Sequence, residues 1–227
     1  MSTVRAVICD FGGVLTSPLF HAFAAYQDES GVPFEDVGRA LQEIAGETGR
    51  HPLHELEKGR LSEREFVRAI EERLGGGAHL HGMRDTYFEN IHPNAPMIEL
   101  MRRLRCGGLR MALLTNNVRE WEPHWRAKLP DVDEIFEVVV DSAFVGMRKP
   151  EPEIYELTLE RMDGGLSADD CLFVDDVEVN CETARSLGMH AVHFRENDQA
   201  MAEIEAIVSG KKRDADEGRL RSAPSDG

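Results

Sequence analysis

Residues 4–17, VRAVICDFGGVLTS, are an apolar run that stops on a single acid and a pair of glycines. Val4 to Cys9 is rich in β-branched residues and predicts a buried strand, and Asp10 with Gly12 and Gly13 predicts a tight turn at its end. Similar apolar runs recur at Met111–Leu114, Phe136–Val140, Cys171–Val174 and His190–Phe194. Helical patterns lie between them: Met97–Leu104 closed by Gly107 and Gly108, Glu153–Met162, Asn180–Leu187 closed by Gly188, and Ala200–Val208. Strands alternating with helices predict an α/β fold, a mostly parallel, Rossmann-like sheet covered on both faces.

One stretch breaks the alternation. From Ser17 to Asn94 there is no comparable strand, but LSEREFVRAIEERLGGG (61–77) carries Ser62 and Glu65 at capping-box spacing. Phe66, Ile70 and Leu74 line one face of that helix and Gly75 can close it. The expected organisation is a core of residues 1–16 and 95–209, an all-helical cap of residues 17–94, and a polar, aperiodic tail of residues 210–227 that reads as disordered. A cap inserted after the first strand stands over the carboxyl edge of the sheet, where open α/β sheets bind ligands.

Composition narrows the function classes. With 227 residues the chain can bury one good core and carry an insertion without disulfide or metal support. A formal charge of -16 repels nucleic acid and anionic membranes alike. No apolar run reaches the roughly 20 residues of a membrane span, and MSTVRAVICDF lacks the pattern of a secretory leader. Cys9, Cys106, Cys171 and Cys181 are scattered, with no CxxC spacing, which fits reduced thiols and a cytoplasmic location. The pairs His51/His54 and His79/His81 lack a second cluster to complete a zinc site and read as surface or packing residues. Trp121 and Trp125, four residues apart, read as packing residues on one helical face, at a cap or subunit contact.

Polar residues fall at the strand ends: Asp10 after the first, Thr115 and Asn116 after the second, Asp175 and Asp176 after the fourth. In a parallel sheet these ends share one edge, and Lys149, before a helix marked by Pro150 and Pro152, can reach it. Clustered carboxylates suit a hard cation such as Mg²⁺. A carboxylate can also attack phosphorus, while a hydroxyl and a lysine neutralise the phosphoryl oxygens. Helix capping would account for one of Asp175 and Asp176 better than for both. The DFG at residues 10–12 has no glycine-rich loop, VAIK or HRD element beside it, so a protein kinase is excluded.

Taken in order, CDFGGVLTS, LLTNN, GMRKPEPEIY and FVDDVEVNCETARSLGM resemble the four motifs of the haloacid dehalogenase superfamily, in the branch with a helical cap after the first motif. The wording is similar to epoxide hydrolase amino-terminal phosphatase domains and to sugar-phosphate phosphatases. The resemblance implies roles for individual residues. Asp10 would be nucleophile and metal ligand, and Thr115 with Asn116 would bind phosphate. Lys149 would neutralise Asp10 and the phosphoryl group. Asp176 and the backbone carbonyl of Gly12 would hold Mg²⁺, with Asp175 acting through the metal's waters and Asn180 as a supporting contact.

Gly12 departs from the pattern. Phosphatases of this kind usually place there a second Asp, which protonates the leaving oxygen and then activates water. Such a group is worth about 10² to 10⁴ in rate. The expected activity is a Mg²⁺-dependent phosphatase for a small phosphorylated metabolite, slowed unless Glu178 or an acid of the cap substitutes. Two other readings compete: an attenuated binding or regulatory domain, motivated by Gly12, and a metal-independent dehalogenase, opposed by the Asp175–Asp176 pair.

Overall fold

The computed structural model describes residues 4–75, 80 and 82–210. His79, His81 and the tail beyond Gly210 lie outside the described residues. The opening strand, β1 (Ala6–Cys9), is followed by five helices: α1 (Leu19–Ser30), α2 (Phe34–Thr48), α3 (Pro52–Glu57), α4 (Glu63–Leu74) and α5 (Met83–Asn90). The alternating half then begins with α6 (Ala95–Cys106), β2 (Arg110–Thr115), α7 (Glu122–Lys128), α8 (Val132–Ile135), β3 (Val138–Asp141) and α9 (Ser142–Val145). It ends with α10 (Pro152–Met162), β4 (Cys171–Asp175), α11 (Glu178–Ser186), β5 (His190–His193) and α12 (Asn197–Val208).

The five strands form one parallel sheet in the order β3-β2-β1-β4-β5. β1 lies at its centre because every residue from Ala6 to Cys9 is apolar enough to be buried on both faces. Its period of two divides the core: Val7 and Cys9 join Met111, Leu113 and Val174 on one face. Ala6 and Ile8 join Ala112, Leu114 and Phe173 on the other. Phe136, read as the start of a strand, instead follows α8 and turns its buried ring inward, and β3 begins at Val138. The chain runs from β1 to neighbours on both sides, which opens a crevice at the carboxyl ends of the strands.

Helix α4 has the expected capping box: Ser62 Oγ accepts from the Glu65 N–H, and Glu65 Oε2 accepts from the Ser62 N–H at 2.9 Å. α1 packs on α5, and α2 on α3 and α4. The strands of chain entering and leaving these helices lie side by side, joined by the Thr16–Pro93 bridge and by bonds from Ser17 N–H to His92 O (2.7 Å) and Asn94 N–H to Leu15 O (2.9 Å).

A second seam joins α3 and the loop after it to the sheet. Ser142 Oγ donates to the Glu57 carbonyl at 2.6 Å, Arg60 Nη2 donates to the Gly146 carbonyl at 3.1 Å, and Lys58 pairs with Glu151. Here Gly59, with φ at +63°, meets the backbone head-on: a Cβ at this position would sit 2.1 Å from the Ala143 carbonyl oxygen. No side chain fits at residue 59. Among the described residues, no helix is long and apolar enough to cross a membrane.

Candidate active site

β1 and β4 are hydrogen-bonded neighbours, so the acids that follow them emerge together; the Asp10 N–H donates to the Val174 carbonyl at 2.9 Å. One oxygen each of Asp10, Asp175 and Asp176 lies within 4.8 Å of the other two. Lys149 stands between two of them, with Nζ 2.7 Å from Asp10 Oδ1 and 2.6 Å from Asp175 Oδ2. Its side chain is 2% exposed, so this ammonium is a component of the interior.

The surrounding bonds fix each group. Asn116, which follows β2, holds the backbone of Lys149 from both sides: its Nδ2 donates to the Lys149 carbonyl at 2.9 Å and its Oδ1 accepts from the Lys149 N–H at 2.8 Å. Asn116, expected among the phosphate-binding residues, thus has its side-chain amide engaged with the backbone of Lys149. Asp175 Oδ1 accepts from the Val177 N–H (2.8 Å) and from Asn180 Nδ2 (3.0 Å). With that oxygen it braces the turn that leads into α11, and with the other it faces Lys149. The Thr115 hydroxyl is buried at the same edge and has no protein partner among the described residues.

The two neighbouring glycines differ. Gly13 has φ at +77°, and a Cβ there would lie 2.1 Å from Asp176 Oδ2, so only glycine lets the turn approach that acid. Gly12 has an ordinary φ, and a Cβ there would meet only the flexible end of Leu19, at 3.3 Å. The backbone does not demand a glycine at residue 12.

Three carboxylates thus gather at one ammonium that pairs directly with two of them. Burial, and then the neighbouring acids working against Lys149, push Asp10 above the usual carboxylate range; burial and Asp175 do the same to Asp176. Burial lowers the affinity of Lys149 for its proton, but Asp10 and Asp175 more than offset this and hold it charged. Hard oxygen donors with too little positive charge among them fit a divalent cation. Among the described residues, this is the group of side chains placed to hold a metal. His51 and His54 stack on each other at 4.5 Å between ring centroids, as packing residues.

Above the acids lies a chamber of about 470 Å³ between the sheet edge and helices α1 to α5. Phe11, Gly12, Thr115 and Asn116 form its near wall. Trp125 packs on Phe11 at 5.4 Å and donates from Nε1 to Asp141 Oδ2 at 3.2 Å, whereas Trp121 donates to Glu63 Oε1 of α4 at 2.9 Å. The two indoles do not share one helical face: Trp121 closes a 3₁₀ turn and Trp125 lies in α7, yet both line the chamber.

Glu178 is not among the residues that line this space: it bonds Arg185 at 2.6 Å and faces His193 at 2.8 Å, and the Arg185 bond holds its carboxyl below the usual range. The acid that does face the chamber is Glu57, whose Oε2 is 2.5 Å from Arg148 Nε and whose pKa is raised by burial. The sequence offers no signal for Glu57, because its place depends on how α3 docks.

Comparisons with known proteins agree with this architecture. The family model for haloacid dehalogenase-like hydrolases matches residues 4–188. The chain is 29% identical over 90% of its length to mouse acyl-CoA dehydrogenase family member 10, but spans only 19% of that protein. It is 25% identical over 91% of its length to the sesquiterpene phosphatase astK of Aspergillus oryzae and spans 98% of it. A HAD family enzyme from Bacteroides thetaiotaomicron, solved in complex with magnesium and inorganic phosphate, has the same fold, with a TM-score of 0.62 and 22% identity over 85% of this chain and 94% of the other.

Proposed function

Because the chain belongs to the haloacid dehalogenase-like hydrolases, we propose that it is a Mg²⁺-dependent phosphatase that releases phosphate from a small organic phosphomonoester through an aspartyl-phosphate at Asp10. The observation that carries this reading is the cluster of Asp10, Asp175 and Asp176 around Lys149. The name of the astK relative and the magnesium and phosphate of the Bacteroides enzyme point the same way.

Each residue then has a task. Lys149 holds Asp10 by Oδ1 and leaves Oδ2, which has no protein partner among the described residues, to attack phosphorus. The new bond joins Oδ2 to phosphorus as the bond to the leaving alkoxide breaks. Lys149 and the Thr115 hydroxyl stabilise the negative charge that builds on the phosphoryl oxygens. Water then attacks phosphorus, releases phosphate and restores Asp10. Asp10, Asp176 and the Gly12 carbonyl would hold Mg²⁺, with Asp175 behind them; the ion supplies positive charge that the three acids and the phosphate together lack. The leaving oxygen needs a proton that residue 12 cannot give, and Glu57 is the acid on the chamber wall. Helices α1 to α5 serve as the cap that excludes water from the site.

The test is phosphate release from an aryl phosphate with and without Mg²⁺. Turnover that requires Mg²⁺ and falls by at least about 10⁴ in Asp10→Asn is the expected result. Halide release from a haloacid in metal-free buffer would replace this reading with the dehalogenase. Silence towards aryl, sugar, nucleotide and acyl phosphates would replace it with the binding domain.

A further inference from the structure

From the lining of the chamber we infer that the natural substrate carries its phosphate on an uncharged, largely hydrocarbon tail. This rests on the phosphatase reading and names the substrate class for that same site. The chamber is continuous with the chemistry, since Thr115 and Gly12 belong to its wall. The residues next to Asp10 in the chain, Phe11 and Gly12, line this space, so a molecule whose phosphoryl group sits at Asp10 has it alongside for its remaining atoms.

The wall away from the acids is built from side chains such as Leu41, Leu56, Phe66 and Ile70. Among the described residues no lysine, arginine or histidine lines it, so a second phosphate or a carboxylate on the substrate would be buried against this lining without a counter-charge. Glu57, the acid in the lining, is already paired with Arg148. A sugar needs a partner for each hydroxyl it buries, and an unpaired hydroxyl weakens binding. Tyr26 Oη, buried without a partner, the Tyr87 hydroxyl and Asn117 can serve a few hydroxyls, set apart in a lining that is otherwise largely leucine, valine, isoleucine and phenylalanine. Apolar tails pair with apolar walls without such losses, and each methylene buried is worth about a fourfold gain in binding.

Size sets a scale. At roughly 30 Å³ per methylene, about the share of a water molecule in the liquid, 470 Å³ corresponds to a tail on the order of fifteen carbons. Phe23 and Phe34, in edge-on contact at 5.5 Å and partly exposed, stand where the lining meets solvent and mark the entrance.

The experiment is a series of n-alkyl phosphates from ethyl to hexadecyl, below their micellar concentrations and with Mg²⁺, run beside hexose phosphates and an aryl phosphate. The expected result is kcat/KM rising about fourfold per methylene through the middle of the series, then levelling or falling beyond about fifteen carbons. Hexose phosphates should lag decyl phosphate by at least about 10², the scale on which buried polar mismatches discriminate. Val67→Phe and Leu41→Phe, which narrow the chamber at two separate points, should each shift the preferred tail to fewer carbons. A flat series, or a preference for hexose phosphates, with aryl phosphate turnover intact would overturn the inference and leave the phosphatase reading standing.

If no phosphate ester turns over, the phosphatase reading fails, and binding decides the inference. The two tryptophans of the chain both line the chamber, so their fluorescence reports its occupancy. Titration of Asp10→Asn with decyl phosphate should change the emission at concentrations where inorganic phosphate does not. Equal responses to the two would overturn the tail preference independently of catalysis.

Discussion

At the carboxyl edge of the sheet three carboxylates lie together and two of them pair with one ammonium, whereas among the described residues of the chamber just above it one ion-paired acid faces walls of leucine, valine and aromatic rings. The edge is held by backbone geometry: strand ends and turns place Asp10, Thr115 and Asp175, and Asn116 grips the main chain of Lys149. The chamber is held by helix packing, and its shape follows side-chain volume rather than any bond. On the proposed reading, chemistry and selectivity rest on different physical terms, one electrostatic and one hydrophobic, and substitutions can separate them.

The strongest way to break the contrast is to remove the ammonium. Lys149→Met leaves Asp10 and Asp175 buried without their shared partner, and loss of one member of such a pair costs about 3–5 kcal/mol. Urea unfolding should show this loss, with millimolar Mg²⁺ recovering part of it because a cation then replaces the missing charge. Indifference to Mg²⁺ would mean that the acids do not hold the ion.

Asp141 lies on the border between the two regions, beneath Trp125, and burial pushes its pKa up to about 6. A carboxyl that binds its proton more tightly when folded stabilises the fold most below its unfolded pKa, near 4, and this contribution disappears as pH rises through about 6. Over that window wild type should lose about 3 kcal/mol relative to Asp141→Asn. Unfolding free energies of the two proteins at pH 4 and pH 7 measure it, and parallel profiles would show that Asp141 remains ionised.

Gly12→Asp sharpens the contrast by placing an acid where the regions meet. With no backbone obstacle and only the end of Leu19 at 3.3 Å, the side chain fits, and alkyl phosphate turnover should rise roughly 10- to 100-fold. An aryl phosphate, whose leaving group needs less protonation, should respond less. An unchanged alkyl rate would assign the proton to Glu57 and give the chamber a share of the chemistry.

The smallest effect belongs to the helices alone. Ser62→Ala removes the capping box of α4 and should cost about 1 kcal/mol, read as a fall in Tm, with aryl phosphate turnover unchanged.

The same division explains what could be read from the sequence. The five strands announce themselves as apolar runs, and the candidate site residues other than Lys149 follow because each stands at or just after a run's end, while Lys149 is marked by its place before the Pro150 and Pro152 helix start. Asp10, Thr115, Lys149, Asp175 and Asp176 meet through the parallel pairing of β1 with β2 and β4, which alternation of strands and helices already implies. The role of Asn116 was legible only as a position, since nothing in LLTNN says that its amide grips residue 149. The chamber left no trace, because Leu56, Phe66 and Ile70 have the spacing of an ordinary helical core and only the docking of α1 to α5 decides that their side chains surround a space. Glu57 and Tyr87 belong to it for the same reason.

Gly59 gives the seam between these parts a fixed gauge. Backbone rests on backbone there, so the distance from helices to sheet has no slack to take up even a methyl group. In modular terms the helical segment is an exchangeable fitting on a standard mount. Under the proposed substrate class its lining could be redrawn for tails of other shapes, and a segment grafted from a relative would seat at this joint only if it brought a glycine to it.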